Sequence, residues 1–462
     1  MSIRLQKIGL IAFGVALGAA LTLNFSAVAK KDSTFALPVE ELRAFAEVFG
    51  RIKSDYVEPV EDKKLITEAI NGMLTGLDPH SAYLDADAYK ELQVGTQGEF
   101  GGLGIEVTME DGLVKVVSPI EDTPAHRAGL KPGDLIIKLD DTPVKGLTLS
   151  DAVKRMRGKP NTSIVLTVAR KGETKPLVFT LVRAVVKIQS VKSKLPEPGY
   201  GYIRITQFQE QTGEILAKTL ENLFKQNPGG LKGLVLDLRN DPGGLLTGAV
   251  AVSAAFLPAD TLVVYTDGRT EDAKMKLTAS SENYLRGSFR DDYLKKLPAA
   301  VKTVPMVVLV NGGSASASEI VAGALQDHKR ATIMGSQTFG KGSVQTILPL
   351  GNQTAIKLTT ARYYTPSGRS IQAKGIIPDI AVEDPNGGDS VLHLKEADLE
   401  RHLANDQAKP AAPAKIEPPP PKPVTEGEKT GKTAPVEFGS KDDILLSRAI
   451  AHLKGAPTTA QK

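Results

Sequence analysis

Val304-Pro305-Met306-Val307-Val308-Leu309-Val310 runs directly into Asn311-Gly312-Gly313-Ser314-Ala315-Ser316-Ala317-Ser318-Glu319-Ile320. The first half is a continuous, largely β-branched apolar run, the pattern of a strand covered on both faces. The second half is a glycine turn followed by apolar residues at helical spacing, predicting a helix from Ser316 to Asp327. The same grammar recurs outward. Gly233 to Leu238 (GLVLDL) reads as a buried strand, Thr247 to Phe256 as an apolar helix and Ala331 to Met334 as a further strand. Residues 187–385 therefore predict an α/β unit of the kind that carries catalytic sites at strand ends.

Towards the N-terminus the pattern shortens. Gly101-Gly102-Leu103-Gly104, Ile105-Glu106-Val107 and Leu113 to Val117 precede Ala128-Gly129-Leu130-Lys131-Pro132-Gly133-Asp134, the strand Leu135 to Leu139, a helix Leu149 to Arg157 and the strand Ile164 to Arg170. This order resembles a PDZ domain over residues 94–186. The resemblance implies a loop, Gly102-Leu103-Gly104-Ile105, whose converging amides take a peptide's terminal carboxylate while the peptide adds as an extra strand. Before it, residues 30–93 read as helices, with Leu42, Phe45, Phe49, Ile52 and Tyr56 on one face and Leu65 to Leu74 on another.

The chain has 462 residues, enough for several domains, and 57 basic against 53 acidic side chains for a net charge of +4. The charges are interspersed, which argues against nucleic acid as a partner. There is no cysteine, so disulfides, thiol nucleophiles and zinc-thiolate sites are excluded. Arg4 and Lys7 precede an uncharged run from Ile8 to Phe25, and Ala27-Val28-Ala29 has the small-x-small pattern of a signal-peptidase site. Residues 1–29 thus predict a secretory signal or a retained membrane anchor. Eight prolines between Asp406 and Val436 mark an extended linker, assigned to residues 386–438. Ser440 and Asp443 suggest a capping box for a last helix within 439–462, with Ile444, Leu445, Ala449, Ile450 and Leu453 on its apolar face. The two ends of the chain predict subunit assembly, hence a homo-oligomer.

Serines at a strand-to-helix junction commonly cap the helix, but a hydroxyl there can also serve as a nucleophile beside free amides. Spacing does not choose among Ser314, Ser316 and Ser318. Histidine is a poor candidate base: His328 sits twelve residues beyond Ser316, about 18 Å along a helix. Lys341 is the alternative. Its flanking glycines in Phe339-Gly340-Lys341-Gly342-Ser343 permit burial, which favours the neutral amine, and Gln345 shares its face. Asp241-Pro242-Gly243-Gly244 could supply amides for an oxyanion.

Together NGGSASASEI, GSQTFGKGSVQ, DLRNDPGG and ARYYTPSGRSIQAKGIIPDI, placed after a PDZ-like unit, resemble the carboxy-terminal processing peptidases. The resemblance implies a multidomain α/β serine endopeptidase with Ser316 as nucleophile, Lys341 as base and Gln345 orienting the lysine. Ala317 with Gly243 or Gly244 would hold the oxyanion. It implies no cofactor or metal, protein substrates with free apolar C-termini, an exported envelope location, and an envelope adaptor as a further candidate partner. The alternative is a PDZ-bearing envelope scaffold with an idle α/β unit, and retention of Ser316, Lys341 and Gln345 counts against it.

Overall fold

The computed structural model describes residues 38–120, 122–187, 189–285, 291–382, 395–407 and 437–456. The candidate signal, residues 1–29, and the prolines of the linker lie outside these. Helix α1 (Val39–Asp55) belongs to a first compact unit that extends to Ala69, and buries none of its residues. Leu42, Phe45, Val48, Ile52 and Tyr56 are all exposed along it. Helix α2 (Asp62–Thr75) follows. Among the described residues no helix is long and apolar enough to cross a membrane.

Strand β1 (Ala82–Leu84) and helix α3 (Ala86–Gln97) lead into the glycine-rich region. The N-cap of α3 is Asp85, whose carboxylate accepts from Ala88 N at 2.8 Å. There follow β2 (Glu99–Gly102), β3 (Ile105–Glu110), β4 (Leu113–Pro119), α4 (Pro124–Arg127), β5 (Leu135–Leu139), β6 (Thr142–Pro143), α5 (Leu149–Met156), β7 (Ser163–Ala169), β8 (Leu177–Val182) and β9 (Ala184–Lys187). The main sheet has the order β3-β4-β5-β7-β8, with β6 paired to β5, so β3 is an edge strand. Its inward residues Ile105, Val107 and Met109 pack with Leu149 and Val153 of α5 on a core of Val114, Val116, Ile136, Leu166 and Val168. Strands β2 and β9 close the unit as an antiparallel pair, with Phe100 opposite Val186.

The second part runs β10 (Val191–Glu197), β11 (Tyr200–Ile205), α6 (Thr212–Gln226), β12 (Gly233–Asp237), α7 (Leu246–Phe256), β13 (Leu262–Gly268), β14 (Lys276–Thr278), α8 (Ser281–Tyr284), β15 (Met306–Val310), α9 (Ala317–Asp327), β16 (Thr332–Gly335), β17 (Ser343–Pro349), β18 (Ala355–Tyr364), β19 (Ile380–Ala381) and α10 (Ile444–Leu453). One sheet has the order β10-β11-β12-β15-β16-β19, parallel from β11 onward. The continuous apolar runs are explained by cover on both faces. Leu234, Leu236, Met306, Val308 and Val310 point into a core shared with α6, α7 and α9. Val235, Val307 and Leu309 point into a second core formed with Leu445, Leu446, Ala449 and Ile450 of α10. A second sheet places β18 between β1 and β13, with β17 also paired to β18.

Three expectations change at the C-terminus. The last helix, read as an assembly face, spends its apolar side chains within its own chain, because among the described residues it is the helix that covers this face of the parallel sheet. Its cap is Asp443, whose carboxylate accepts from Leu446 N at 3.0 Å, and not a Ser440–Asp443 box. Residues 395–407, assigned to the linker, are also tied to the folded chain at particular points, although most of them are exposed. Glu396 is fully buried and its amide donates to the Phe339 carbonyl at 3.1 Å, while Asp406 accepts from the Tyr364 hydroxyl at 2.6 Å.

Candidate active site

The carboxyl ends of adjacent parallel strands are where open α/β sheets collect their chemistry, because the connecting loops converge there. Strand β12 ends at Asp237 and leads to Asp241–Gly244, β15 ends at Val310 and leads to Ser316, and β16 ends at Gly335 and leads to Lys341. These three strands are neighbours, so motifs separated by about a hundred residues meet at one edge.

The junction after β15 is heavily constrained. Asn311 Oδ1 accepts from Asn240 N at 2.9 Å and from Gly313 N at 3.1 Å, and Asn311 Nδ2 donates to Asn240 Oδ1 at 2.8 Å. Ser314 is fully buried and donates to the Leu238 carbonyl at 2.8 Å. Ser318, equally buried, donates to the Asp241 carbonyl at 2.9 Å. Both hydroxyls tie β15 to the β12 loop. Ser316 is the partly exposed serine of the three and sits at φ 56°, ψ −113°, a strained conformation for a residue with a Cβ. Its side chain interacts with the phenol of Tyr363, which also donates to the Lys341 carbonyl.

Glu319, which the sequence reading used only as part of a motif, holds this strain. Its Oε2 accepts from Ser316 N at 2.8 Å and Lys341 N at 3.0 Å, and its Oε1 from Thr338 Oγ1 at 2.6 Å and Gly340 N at 2.8 Å. One buried carboxylate thereby joins the serine turn to the lysine loop. Burial pushes its carboxyl up to about 7, against the four hydrogen bonds that favour its charge. Sequence gave no signal for this, since Glu three residues after a Ser reads as an ordinary capping pattern.

Lys341 Nζ donates to Gln345 Oε1 at 2.5 Å. Burial depresses its pKa to about 8; the Glu396 carboxylate acts in the opposite sense. Close approach of the backbone is what buries it: a Cβ at Gly342 would lie 2.4 Å from Gln372 N. Gln345 Nε2 in turn donates to Ser343 Oγ at 3.0 Å and Thr359 Oγ1 at 3.1 Å, and Thr359 Oγ1 donates to Asp78 Oδ1 at 3.0 Å. Glu396 pairs with His80 Nε2 at 2.8 Å and accepts from Gln372 Nε2 at 2.8 Å, while Gln372 Oε1 accepts from Gly342 N at 2.9 Å. His80 thus belongs to the surroundings of the lysine. Among the described residues no hydrogen bond joins Ser316 Oγ to Lys341 Nζ.

On the β12 side, Gly243 lies against the serine: a Cβ there would fall 2.8 Å from both Ser316 Cβ and Ala317 N. The Gly243 amide is already engaged, donating to Asp241 Oδ1 at 2.8 Å. The amides of Gly244 and of Ala317, the first residue of α9, have no acceptor among the described residues. In the first unit of β-strands the amides of Leu103 and Gly104 are likewise without acceptors among the described residues, whereas their carbonyls accept from Ala125 N at 3.0 Å and Ile120 N at 2.9 Å.

Residues 199–382 match the profile of peptidase family S41. Residues 101–181 match a PDZ domain, and residues 17–88 match the N-terminal domain of the activating protease CtpB. The chain is 44% identical to a carboxy-terminal-processing protease of Bartonella bacilliformis, over 99% of this chain and 98% of that one. It belongs to the carboxy-terminal processing peptidases. The carboxy-terminal processing protease CtpB of Bacillus subtilis is 35% identical, over 84% of this chain and 77% of its own. Among solved structures, a photosystem II D1 C-terminal processing protease shares 31% identity over 73% of this chain and 86% of its own, with a TM-score of 0.41. The chain is therefore a serine-type peptidase carrying a PDZ domain, and its substrates are proteins.

Proposed function

We propose that this peptidase of the carboxy-terminal processing family cleaves by a Ser316–Lys341 dyad. The observation that carries the reading is the buried lysine at the end of β16, with its pKa depressed to about 8, beside the strained serine at the end of β15. The neutral Lys341 amine takes the Ser316 proton, and the Ser316 oxygen attacks the scissile carbonyl carbon. The resulting oxyanion is held by the amides of Ala317 and Gly244, since that of Gly243 is committed to Asp241. The protonated Lys341 returns its proton to the leaving amine, and water then hydrolyses the acyl-enzyme. Gln345 Oε1 orients the lysine between these steps. Catalytic hydrogen bonds often form only once substrate is bound, consistent with Lys341 resting on Gln345 here.

The PDZ unit selects the substrate's apolar C-terminus. The open edge of β3 accepts a further strand, and the Leu103 and Gly104 amides, within the Gly102–Ile105 loop, receive the carboxylate. Export through the residues 1–29 signal and self-association through the exposed apolar face of α1 complete the reading. Digestion of casein by the wild type and by Ser316→Ala is the test of the nucleophile. The variant is expected to be inactive with an unchanged circular dichroism spectrum, and retained cleavage would remove Ser316 from the mechanism.

A further inference from the structure

The C-terminal helix reaches the same edge of the sheet through charge as well as packing. Asp443 is buried at its N-cap, and its two oxygens accept from Arg239 Nη1 at 3.1 Å and Nη2 at 2.6 Å. Arg239 in turn donates from Nε to Asp237 Oδ1 at 3.0 Å and from Nη2 to Asp237 Oδ2 at 2.7 Å. Arg204 bridges the group, with Nη1 3.2 Å from Asp237 Oδ2 and Nη2 donating to the Arg239 carbonyl at 3.0 Å. Phe438, five residues before Asp443, lies over both guanidiniums at 4.3 Å. Two cations and two carboxylates balance inside the protein, and one carboxylate of the four groups arrives on the last helix.

The balanced cluster stands at the root of the oxyanion loop. From Asp237 to Gly243 the chain passes through Asn240 at φ 54° and reaches Gly243 at φ 95°, positions with little conformational preference of their own to hold them. At one end of this turn is the Arg239 side chain; at the other, the Asp241 carbonyl accepts from Ala315 N at 3.0 Å. We propose that Asp443 is a positioning residue for catalysis: by fixing Arg239 it fixes the Asn240–Gly244 turn, and with it the amide that faces the oxyanion. The C-terminal segment 437–456 is on this account a working part of the active site. The inference rests on the Ser316 reading above.

The test compares full-length variants on a fluorogenic peptide with an apolar free C-terminus, reading kcat and KM separately alongside thermal melts. Asp443→Asn keeps the helix cap, since Asn caps as well as Asp, but removes the charge that Arg239 needs. It is expected to lower kcat about tenfold with KM within twofold, and to weaken inhibition by a peptide boronate, whose tetrahedral adduct uses the oxyanion site, by a similar factor. Leu446→Ala, on the same helix but in the apolar core, should lower the melting temperature and leave kcat within twofold. Phe438→Leu should reproduce the kcat loss in smaller measure and reads the proposal if Asp443→Asn does not fold. Unchanged kcat in Asp443→Asn, or equal kcat losses in Asp443→Asn and Leu446→Ala, would overturn the proposal. Activity surviving in Ser316→Ala would instead overturn the catalytic assignment, so the two failures are distinguishable.

Discussion

The edge of β3 in the PDZ unit and the loops beyond β12, β15 and β16, the two surfaces to which the proposed function assigns the substrate, are built in opposite ways. Among the described residues, one row of backbone groups along β3 is left without a neighbouring strand, and the loop before it turns its carbonyls inward and leaves two amides without acceptors. Beyond β15 and β16 nearly every polar group is committed: Ser314 and Ser318 to carbonyls of the β12 loop, Glu319 to four donors, Gln345 to Lys341, Ser343 and Thr359. An edge that binds by strand addition needs unpaired backbone, whereas a site that stabilises a transition state needs dipoles fixed before the substrate arrives. Disturbing the first should show in KM and disturbing the second in kcat.

The largest effect is expected at the base. Lys341→Arg keeps the charge but cannot be neutral at working pH, so kcat should fall by about 10³-fold or more with the fold intact. A rate within tenfold of wild type would break the comparison at its catalytic end. Next comes Glu319→Gln, which replaces an acceptor of four bonds by an amide that also has donors to place. It should cost about 10²-fold in kcat while KM for a C-terminal peptide stays within threefold.

Third is the pH profile. With Lys341 at about 8, kcat should rise nearly tenfold per pH unit below that value and level off above it, because only the free amine accepts the serine proton. Gln345 Oε1 stabilises the ammonium, so Gln345→Ala should move the rising limb to lower pH and reduce the plateau. A limb that moves upward would show that Gln345 acts otherwise. The smallest effect belongs to the PDZ edge: amidating the substrate's C-terminus should raise KM about fivefold and leave kcat nearly unchanged, as loss of one charge-assisted set of bonds would. Equal KM values would separate the open β3 edge from tail recognition.

Much of this was legible in one dimension. The alternation of apolar runs and helical spacing placed β12, β15, α9 and β16 to within a residue or two, and the glycines around Lys341 announced a close backbone approach that Gly342 makes against Gln372. The serine trio remained ambiguous on spacing alone, because a buried structural hydroxyl and a nucleophile look alike until their acceptors are known. His80 falls within residues 30–93, whose pattern signals only helices, yet it pairs with Glu396, 316 residues away. Residues 395–407 fall within the stretch assigned to the linker, and nothing in their composition shows that the Glu396 amide has an acceptor waiting at Phe339 in the lysine loop, its carboxylate a donor at Gln372, or Asp406 a donor on β18.

The sequence by itself determined the elements and brought the proposed reacting groups down to a short list: periodicity, turn chemistry and motif order are local properties, and they are written where they act. Tertiary structure decided the supports. Glu319 acquired four donors, Asp443 met Arg239 across 204 residues, and the last helix closed the second face of the parallel sheet. The first two depend on a buried charge finding its complement, and the third on an apolar helix face finding an uncovered sheet. Such a need has no spacing in the chain, because it is met by whichever residue the packing of the sheet brings within 3 Å.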